Sequence, residues 1–226
     1  MTRPIAMLLV LGLGLGAAGW AVAQTDGSGA KRPLDLPSGG KGGDEDEEDA
    51  PETISFYGGE YEGDGFFWCL DKSCSMGWAD DIGQLKAEMS TAISQLSDNS
   101  EFSIVAFSSG YIVWSMVPKE ANAGNRAAAT AWVMALVADG NTCLAPAGVE
   151  TIGIANQCDK DDKQILVLSD GEPNCPGPAE TLSAMTSANW QHTPINTVYI
   201  ASDSGGITFM QQLAAMNGGT FHQPPG

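Results

Sequence analysis

The sequence has few basic side chains and only two histidines. Its 226 residues include 10 lysines and arginines against 28 aspartates and glutamates, which gives a formal net charge of −18. Because a nucleic-acid backbone or an anionic membrane surface would repel such a chain, we expect neither as a partner. With histidine only at His192 and His222, a multi-histidine metal centre is excluded, and a catalytic histidine base has few candidates.

Long apolar runs are also scarce, and the longest lies at the N-terminus. Arg3 precedes an apolar stretch that ends in Ala21-Val22-Ala23, small residues that a signal peptidase accepts. The alternatives are an uncleaved anchor, for which the stretch is short, and a buried helix, which its glycines disfavour. We therefore predict a signal peptide over residues 1–23, cleaved after Ala23. The protein is then secreted, periplasmic or on the cell surface, and its mature chain does not insert into a membrane.

Residues 24–53 are poor in aromatic side chains and rich in Gly, Pro, Ser and charge. Six consecutive acids at residues 44–49 repel one another and bury no apolar surface. A calcium loop is disfavoured, because the D-x-D-x-D-G pattern with a distal Glu is absent. We predict a disordered acidic tether over residues 24–53.

The composition of residues 54–226 is that of a globular domain. Continuous apolar runs, at residues 66–70, 102–107 and 165–168, are typical of strands that are buried on both faces. Stretches with helical spacing of apolar residues alternate with these runs, among them a helix over about residues 125–138 and another that follows Pro146. Short strands are expected at residues 54–57 and 195–201, and residues 111–117 are expected to form a strand joined to residues 102–107 by a hairpin. Such alternation predicts an α/β domain with a largely parallel sheet, whose ligands bind beyond the carboxyl ends of the strands.

A short polar pattern follows the first of these buried strands directly. Asp71, Ser73 and Ser75 form the sequence D-x-S-x-S, which places one carboxylate and two hydroxyls on a single turn. Oxygen ligands of this kind suit a hard divalent cation such as Mg²⁺ or Mn²⁺. The pattern alone is a weak signal, because Asp and Ser are also the residues expected to cap a helix.

Two further segments strengthen the interpretation as a metal site. Asp170 follows the strand at residues 165–168 in an Asp-Gly step, and Thr142 lies in a loop between two predicted helices. Because carboxyl ends of parallel strands meet at one edge of a sheet, these segments are expected beside the D-x-S-x-S turn. Two carboxylates at one place are stable only with a cation between them.

The three segments together resemble the von Willebrand factor A domain and its metal-ion-dependent adhesion site. The family's five site positions are matched, in chain order, by Asp71, Ser73, Ser75, Thr142 and Asp170. The resemblance covers residues 54–221 and implies a Rossmann-like, three-layer fold with helices on both faces of a mostly parallel sheet that has one antiparallel edge strand.

The resemblance also implies a function, namely binding of Mg²⁺ or Mn²⁺ and metal-dependent recognition of a protein partner. In the family, an Asp or Glu of the partner completes the coordination of the metal. The alternatives are a structural or assembly component whose metal only stabilises the fold and, third, a metal-dependent hydrolase. No enzyme activity is expected, because G-x-S-x-G and phosphate-loop motifs are absent and Asp203-Ser204-Gly205-Gly206 is interpreted as a polar turn before a helix.

The chain departs from the family pattern at two places. Cys74 stands between the two serines, where the family often has Gly, and a side chain there would narrow the approach to the metal. The sequence leaves no room for the family's C-terminal helix, so integrin-like switching of affinity is not expected.

Five cysteines in an exported protein are an odd number, so at least one is free or pairs between chains. Cys69 falls inside a strand, Cys158 lies at the opposite end of the sheet from the site, and Cys74, Cys143 and Cys175 fall in loops at the site edge. We expect a Cys143–Cys175 disulfide that joins the loops of Thr142 and Asp170; the alternative is three unpaired thiols. The oligomeric state is left open.

Overall fold

The computed structural model describes residues 51–225, so the predicted signal peptide and the predicted tether up to residue 50 lie outside the described residues. The described part begins with an antiparallel hairpin of β1 (Glu52–Phe56) and β2 (Gly59–Gly63). Sequence analysis expected only one short strand here. Strand β1 begins at Glu52, so the last two residues of the predicted tether range pair with β2.

Seven further strands form the central sheet. They are β3 (Gly65–Asp71), β4 (Glu101–Phe107), β5 (Tyr111–Val113), β6 (Lys119–Glu120), β7 (Lys163–Ser169), β8 (Ile195–Tyr199) and β9 (Phe221–His222). Their order is β5-β4-β3-β7-β8-β9, with β6 also paired to β4. Strands β5 and β6 run antiparallel to β4, and all other pairs are parallel. The predicted α/β fold with a mostly parallel sheet and an antiparallel edge is therefore confirmed.

Five α-helices and a short 3-10 helix cover the sheet. The α-helices are α1 (Asp81–Gln95), α2 (Ala123–Met134), α3 (Leu144–Ala155), α4 (Pro178–Ala188) and α5 (Ser204–Met216), and the 3-10 helix is Cys74–Gly77. Helices α1 and α2 pack on one face of the sheet, together with the β1–β2 hairpin, and α3, α4 and α5 pack on the other. None of the helices among residues 51–225 is long and apolar enough to cross a membrane.

Three predicted elements end or begin elsewhere than expected. The strand predicted over residues 111–117 is only three residues long, and β6 follows after Pro118. Helix α2 ends at Met134 rather than near residue 138, because the chain turns there and the amide of Asp139 bonds the carbonyl of Lys72. Helix α3 starts two residues before Pro146, which is tolerated in a first turn because its missing N–H has no partner there.

The central strand β3 holds the two halves of the core together. All seven of its residues are buried, and their side chains alternate between the two faces of the sheet. Phe66, Trp68 and Leu70 pack with α1 and α2, whereas Phe67 and Cys69 pack with α3. Cys69 is thus a buried small hydrophobic residue, as its place in a strand indicated.

The topology of the sheet creates a crevice beside the end of β3. The chain runs from β3 to β4 on one side and later places β7 on the other side of β3. In open α/β sheets, ligands bind where the strand order reverses in this way, beyond the carboxyl ends of the strands. Asp71 ends β3 and Asp170 directly follows β7, so the fold places both aspartates at this position.

The close packing of the turn before β9 predicts how a substitution at Gly219 changes the free energy of unfolding. A Cβ atom on Gly219 would lie 2.1 Å from the carbonyl oxygen of Ile195, a backbone atom that has no room to move away. We expect Gly219→Ala to lower the free energy of unfolding by about 2 kcal/mol, the usual cost of overpacking. Urea unfolding followed by circular dichroism measures this change.

Gly153→Ala is the matched control for this substitution. Gly153 lies in α3 with no atom within 4 Å of an added Cβ, so alanine there should stabilise the protein by about 0.5 kcal/mol. Equal unfolding midpoints for the two variants would contradict the packing described for the turn.

Candidate metal centre

The carboxylate of Asp71 is completely buried and held in place from two sides. Its Oδ1 accepts a hydrogen bond of 2.7 Å from the backbone amide of Ser73, two residues further along the turn. Its Oδ2 accepts a hydrogen bond from the hydroxyl of Ser169 on the neighbouring strand β7. Both contacts come from neutral groups, so they orient the carboxylate without balancing its charge.

A row of oxygen atoms leads from the D-x-S-x-S turn to Asp170. The hydroxyls of Ser73 and Ser75 are 3.1 Å apart, and the Ser75 hydroxyl donates a hydrogen bond of 2.8 Å to Oδ1 of Asp170. Ser75 and Asp170 are separated by 95 residues in sequence, yet their side-chain oxygens are in direct contact. The structure therefore brings together the first and the last segment of the predicted site.

Thr142 lies at the same edge of the sheet. Its Oγ1 is 3.5 Å from the position that a Cβ on Gly171 would occupy, which places it beside the turn that follows Asp170. The loop is tied to the D-x-S-x-S turn, because the amide of Cys74 donates to the carbonyl oxygen of Gly140 at 3.1 Å. Gly140 has φ +69°, and a Cβ there would lie 2.6 Å from Oγ of Ser109, so this loop depends on glycine.

Cys143 and Cys175 form a disulfide, the pair expected from the sequence, and it links the loops of Thr142 and Asp170. Asn174 supports the same link through two hydrogen bonds with Thr142. The backbone amide of Asn174 donates to the Thr142 carbonyl oxygen at 3.1 Å, and the side-chain Oδ1 of Asn174 accepts from the Thr142 backbone amide at 3.3 Å. The three other cysteines are free: Cys69 and Cys158, which are buried, and Cys74, which is exposed.

The side chain of Lys72 cannot neutralise the two aspartates of the site. Its ammonium group bonds Oδ1 of Asp139 at 2.5 Å and Oγ of Ser108 at 3.1 Å. Among residues 51–225, neither Asp71 nor Asp170 takes part in an ion pair. The two carboxylates therefore share one edge of the sheet without a positively charged side chain to balance them.

The electrostatics of the site follow from this arrangement. Burial raises the pKa of Asp71 to about 6, although hydrogen bonds from Ser169 and Ser73 oppose the rise, and the charge of Asp170 adds to it. Burial also raises the pKa of Asp170, and the nearby charges of Asp81 and Asp203 add to the rise. A carboxylate whose pKa is raised is less stable when charged, and a bound cation would reverse that penalty.

Sequence analysis missed several residues that build the site. Ser169, the last residue of β7, bonds Asp71 and also both backbone polar groups of Gly171. Tyr199 ends β8, and its hydroxyl contacts the carbonyl oxygen of Asp170 at 3.3 Å and the carboxylate of Asp203. Each stands at or near the end of a predicted strand, which is the signal that could have marked it as a neighbour of the site.

The donor atoms fit a hard divalent cation. Two carboxylates and three hydroxyls provide only oxygen, the ligand type that Mg²⁺ and Mn²⁺ prefer. Within the described residues, no group of three or more His, Cys, Asp or Glu side chains is placed to hold a metal ion, so a zinc-type site is not formed there. A ligand set at this edge would therefore need the hydroxyls of Ser73, Ser75 and Thr142 in addition to the two carboxylates.

Comparison with known families identifies one match. The sequence profile described as "von Willebrand factor type A domain" matches residues 70–223, which is more than half of the chain and includes all five predicted site residues. No curated protein matches the sequence significantly.

Solved structures with the same fold share little sequence identity. A von Willebrand factor type A protein from Catenulispora acidiphila is 20% identical with a TM-score of 0.66; the match covers 74% of this chain but only 40% of the other. The conserved hypothetical protein BatB from Bacteroides thetaiotaomicron is 15% identical with a TM-score of 0.53, over 71% of this chain and 90% of that one. The PilB minor pilin from Streptococcus sanguinis is 13% identical with a TM-score of 0.57, over 71% and 57%. At these identities the likeness concerns the fold.

The pairing and burial of the five cysteines predict how many of them a thiol reagent modifies in each state of the protein. In the native protein without reductant, only the exposed Cys74 should react quickly, so we expect one modified cysteine per chain. Unfolding without reductant should expose Cys69 and Cys158 and raise the count to three. Reduction of the Cys143–Cys175 disulfide should raise it to five. Mass spectrometry of the labelled peptides assigns each site, and native labelling of Cys143 or Cys175 would contradict the disulfide.

Proposed function

The chain belongs to the von Willebrand factor type A domain family, and from this premise we propose that it is an exported, metal-dependent protein-recognition module. Domains of this family are in general interaction or adhesion modules rather than enzymes. In the proposal, a Mg²⁺ or Mn²⁺ ion is held by the family's adhesion-site residues at the edge of the sheet. The positions are Asp71, Ser73, Ser75, Thr142 and Asp170.

One observation carries the proposal. The two aspartates are brought to one place without a balancing positive side chain among residues 51–225, while the Ser75 hydroxyl donates to Asp170 and lies 3.1 Å from the Ser73 hydroxyl. A fold would gain nothing from holding two unpaired carboxylates together, since desolvation and repulsion destabilise both. A divalent cation at this edge would balance both charges and use the hydroxyl oxygens as ligands.

When bound, the cation supplies a Lewis-acidic position that a carboxylate of the partner occupies. The residues of this chain do the remaining work. Asp71 and Asp170 bind the ion directly or through water and balance its charge, and the three hydroxyls orient it without adding charge. Because their hydroxyls are neutral, Ser73, Ser75 and Thr142 would leave a bound ion with affinity for one more anionic oxygen. An Asp or Glu side chain of a protein partner is therefore the expected ligand.

A purely structural role of the metal is the second candidate, and the complete burial of Asp71 favours it. A cation that neutralised a buried carboxylate would stabilise the fold whether or not a partner bound. Both roles predict metal binding. Only the protein-recognition role predicts that a chelator releases a bound partner. A pull-down from the protein's own envelope or secreted fraction, with and without chelator, separates them.

Metal binding should be visible as thermal stabilisation that depends on Asp170. At a Mg²⁺ concentration of about 100 times Kd, the stabilisation is about 2.7 kcal/mol, which raises the melting temperature by about 5–10 °C in a domain of this size. Asp170→Asn should abolish this rise. In chelator, the variant should melt at or above the wild-type temperature, because the replaced carboxylate has a raised pKa and its charge destabilises the fold. Differential scanning fluorimetry measures both effects.

Asp161→Asn is the matched control, because Asp161 precedes the same strand that Asp170 follows. Its response to Mg²⁺ should equal that of the wild type. If Mg²⁺ and Mn²⁺ leave the melting temperature of the wild type unchanged relative to chelator, the metal site does not exist.

The proposal includes export, which the N-terminal sequence supports. Protein recovered from its native host should begin at Gln24, and Edman sequencing or intact mass measures this end. Recovery of the mature protein with Met1 or with residues of the apolar stretch would contradict the predicted signal peptide.

A further inference from the structure

Tyr199 lies in the core of the domain and contacts the backbone of Asp170, a residue of the proposed metal centre. Tyr199 is the last residue of β8, is fully buried, and stands opposite Ser169 in the sheet register. Its hydroxyl lies 3.3 Å from the carbonyl oxygen of Asp170 and bonds Oδ2 of Asp203. One proton is shared between two acceptors, the closer of which is the Asp203 carboxylate.

Asp203 joins this contact to the start of helix α5. Its Oδ1 accepts a hydrogen bond of 2.8 Å from the amide of Gly206 and so caps the helix, while its Oδ2 accepts from Tyr199. The tyrosine hydroxyl lowers the pKa of Asp203, and the helix amide acts in the same direction. The carboxylate is therefore charged and fixed at both oxygens.

The sequence around the helix start is adapted to this contact. A Cβ on Gly206 would lie 2.0 Å from the Tyr199 hydroxyl, so only glycine leaves room for the hydroxyl at this place. The segment Asp203-Ser204-Gly205-Gly206 is thus more than a polar turn before a helix. It provides the acceptor for Tyr199 and the space in which the hydroxyl sits.

We propose that Tyr199, anchored by Asp203, is a positioning residue that sets the place of Asp170 in the metal centre. This inference rests on the proposed function, because it assigns a role toward the ion that Asp170 would bind. Tyr199 touches the Asp170 backbone, while the Asp170 side chain accepts from Ser75 at 2.8 Å. Fixing the peptide unit of Asp170 limits where its carboxylate can lie. Residues that orient a metal ligand in this way change metal affinity when they are replaced.

Tyr199→Phe tests the role without changing any charge. We expect the Mg²⁺ dissociation constant, measured by isothermal titration calorimetry on the mature chain, to rise about tenfold. The electron paramagnetic resonance spectrum of bound Mn²⁺ should also change, since the Asp170 ligand is less constrained. The melting temperature in chelator is recorded separately, because a purely structural role would lower it and leave the dissociation constant alone.

Tyr61→Phe is the matched control. The Tyr61 hydroxyl is buried as well, but it has no hydrogen-bond partner among residues 51–225, so its removal should leave the Mg²⁺ affinity unchanged. The control shows that the loss of a buried tyrosine hydroxyl does not by itself weaken metal binding.

A second pair of variants keeps the test decisive if Tyr199→Phe folds poorly. Asp203→Asn and Asp81→Asn each remove one of the charges that act on Asp170, but only the first replaces the carboxylate that anchors the Tyr199 hydroxyl. We expect Asp203→Asn to weaken Mg²⁺ binding more than Asp81→Asn does. Equal losses in this pair would overturn the inference.

The outcomes separate this inference from the function on which it rests. Wild-type protein that binds Mg²⁺, together with a Tyr199→Phe variant of the same affinity to within about twofold, contradicts the role of Tyr199 alone. Wild-type protein that takes up neither Mg²⁺ nor Mn²⁺ contradicts the metal centre itself, and with it the role of Tyr199. A loss of Mg²⁺ affinity that is larger in Tyr199→Phe and Asp203→Asn than in their controls Tyr61→Phe and Asp81→Asn supports both.

Discussion

The burial of two uncompensated carboxylates at one edge of the sheet is the constraint on which the rest of the site depends. Asp71 is fully buried, Asp170 is half-buried, and neither has an ion-pair partner among residues 51–225. Every hydrogen bond that they receive comes from a neutral group or from the backbone. The stability lost in this arrangement is the basis of the proposed cation site, since functional sites are often less stable than their surroundings.

The remainder of the domain serves to hold this edge in place. Strand β3, buried on both faces, lies beside β7 in a parallel register that sets the ends of the two strands side by side. The Cys143–Cys175 disulfide and the hydrogen bonds of Asn174 fix the loop that follows Asp170 against the loop of Thr142. On the core side of the site, the Tyr199 hydroxyl contacts the Asp170 carbonyl oxygen and the Asp203 carboxylate, and Asp203 caps the start of α5. Rigid elements on all sides leave the carboxylates little freedom to move apart, which is the condition for a preformed ion site.

The sequence predicted the architecture well because its signals were local. Continuous apolar runs marked the buried strands, and the polar residues after them marked the carboxyl ends. The hairpin of β1 and β2 was missed in part, since Gly59–Gly63 has only Tyr61 as a buried large side chain and so shows little pattern. The strand predicted over residues 111–117 extends beyond β5, and β6 was not predicted, because periodicity does not show where a chain leaves the edge of a sheet.

The site was predicted only as far as the family pattern reaches. Asp71, Ser73 and Ser75 lie within five residues of one another, whereas Thr142 and Asp170 were linked to them through the expected α/β arrangement and through the resemblance. Ser169 and Tyr199 have no motif of their own, and their roles depend on strand register and on a contact between distant segments. Such contacts are properties of the folded chain, and a single sequence holds no local signal for them.

The most direct test of the account is a crystal structure of the protein grown with Mn²⁺ and measured at the manganese absorption edge. The account predicts one anomalous peak at the edge of the sheet, within bonding distance of the hydroxyl oxygens of Ser73 and Ser75 and close to Asp71, Thr142 and Asp170. The same crystals of Asp170→Asn should show the peak weakened or lost. A peak at another place on the domain, with this edge empty at saturating Mn²⁺, would contradict the central claim.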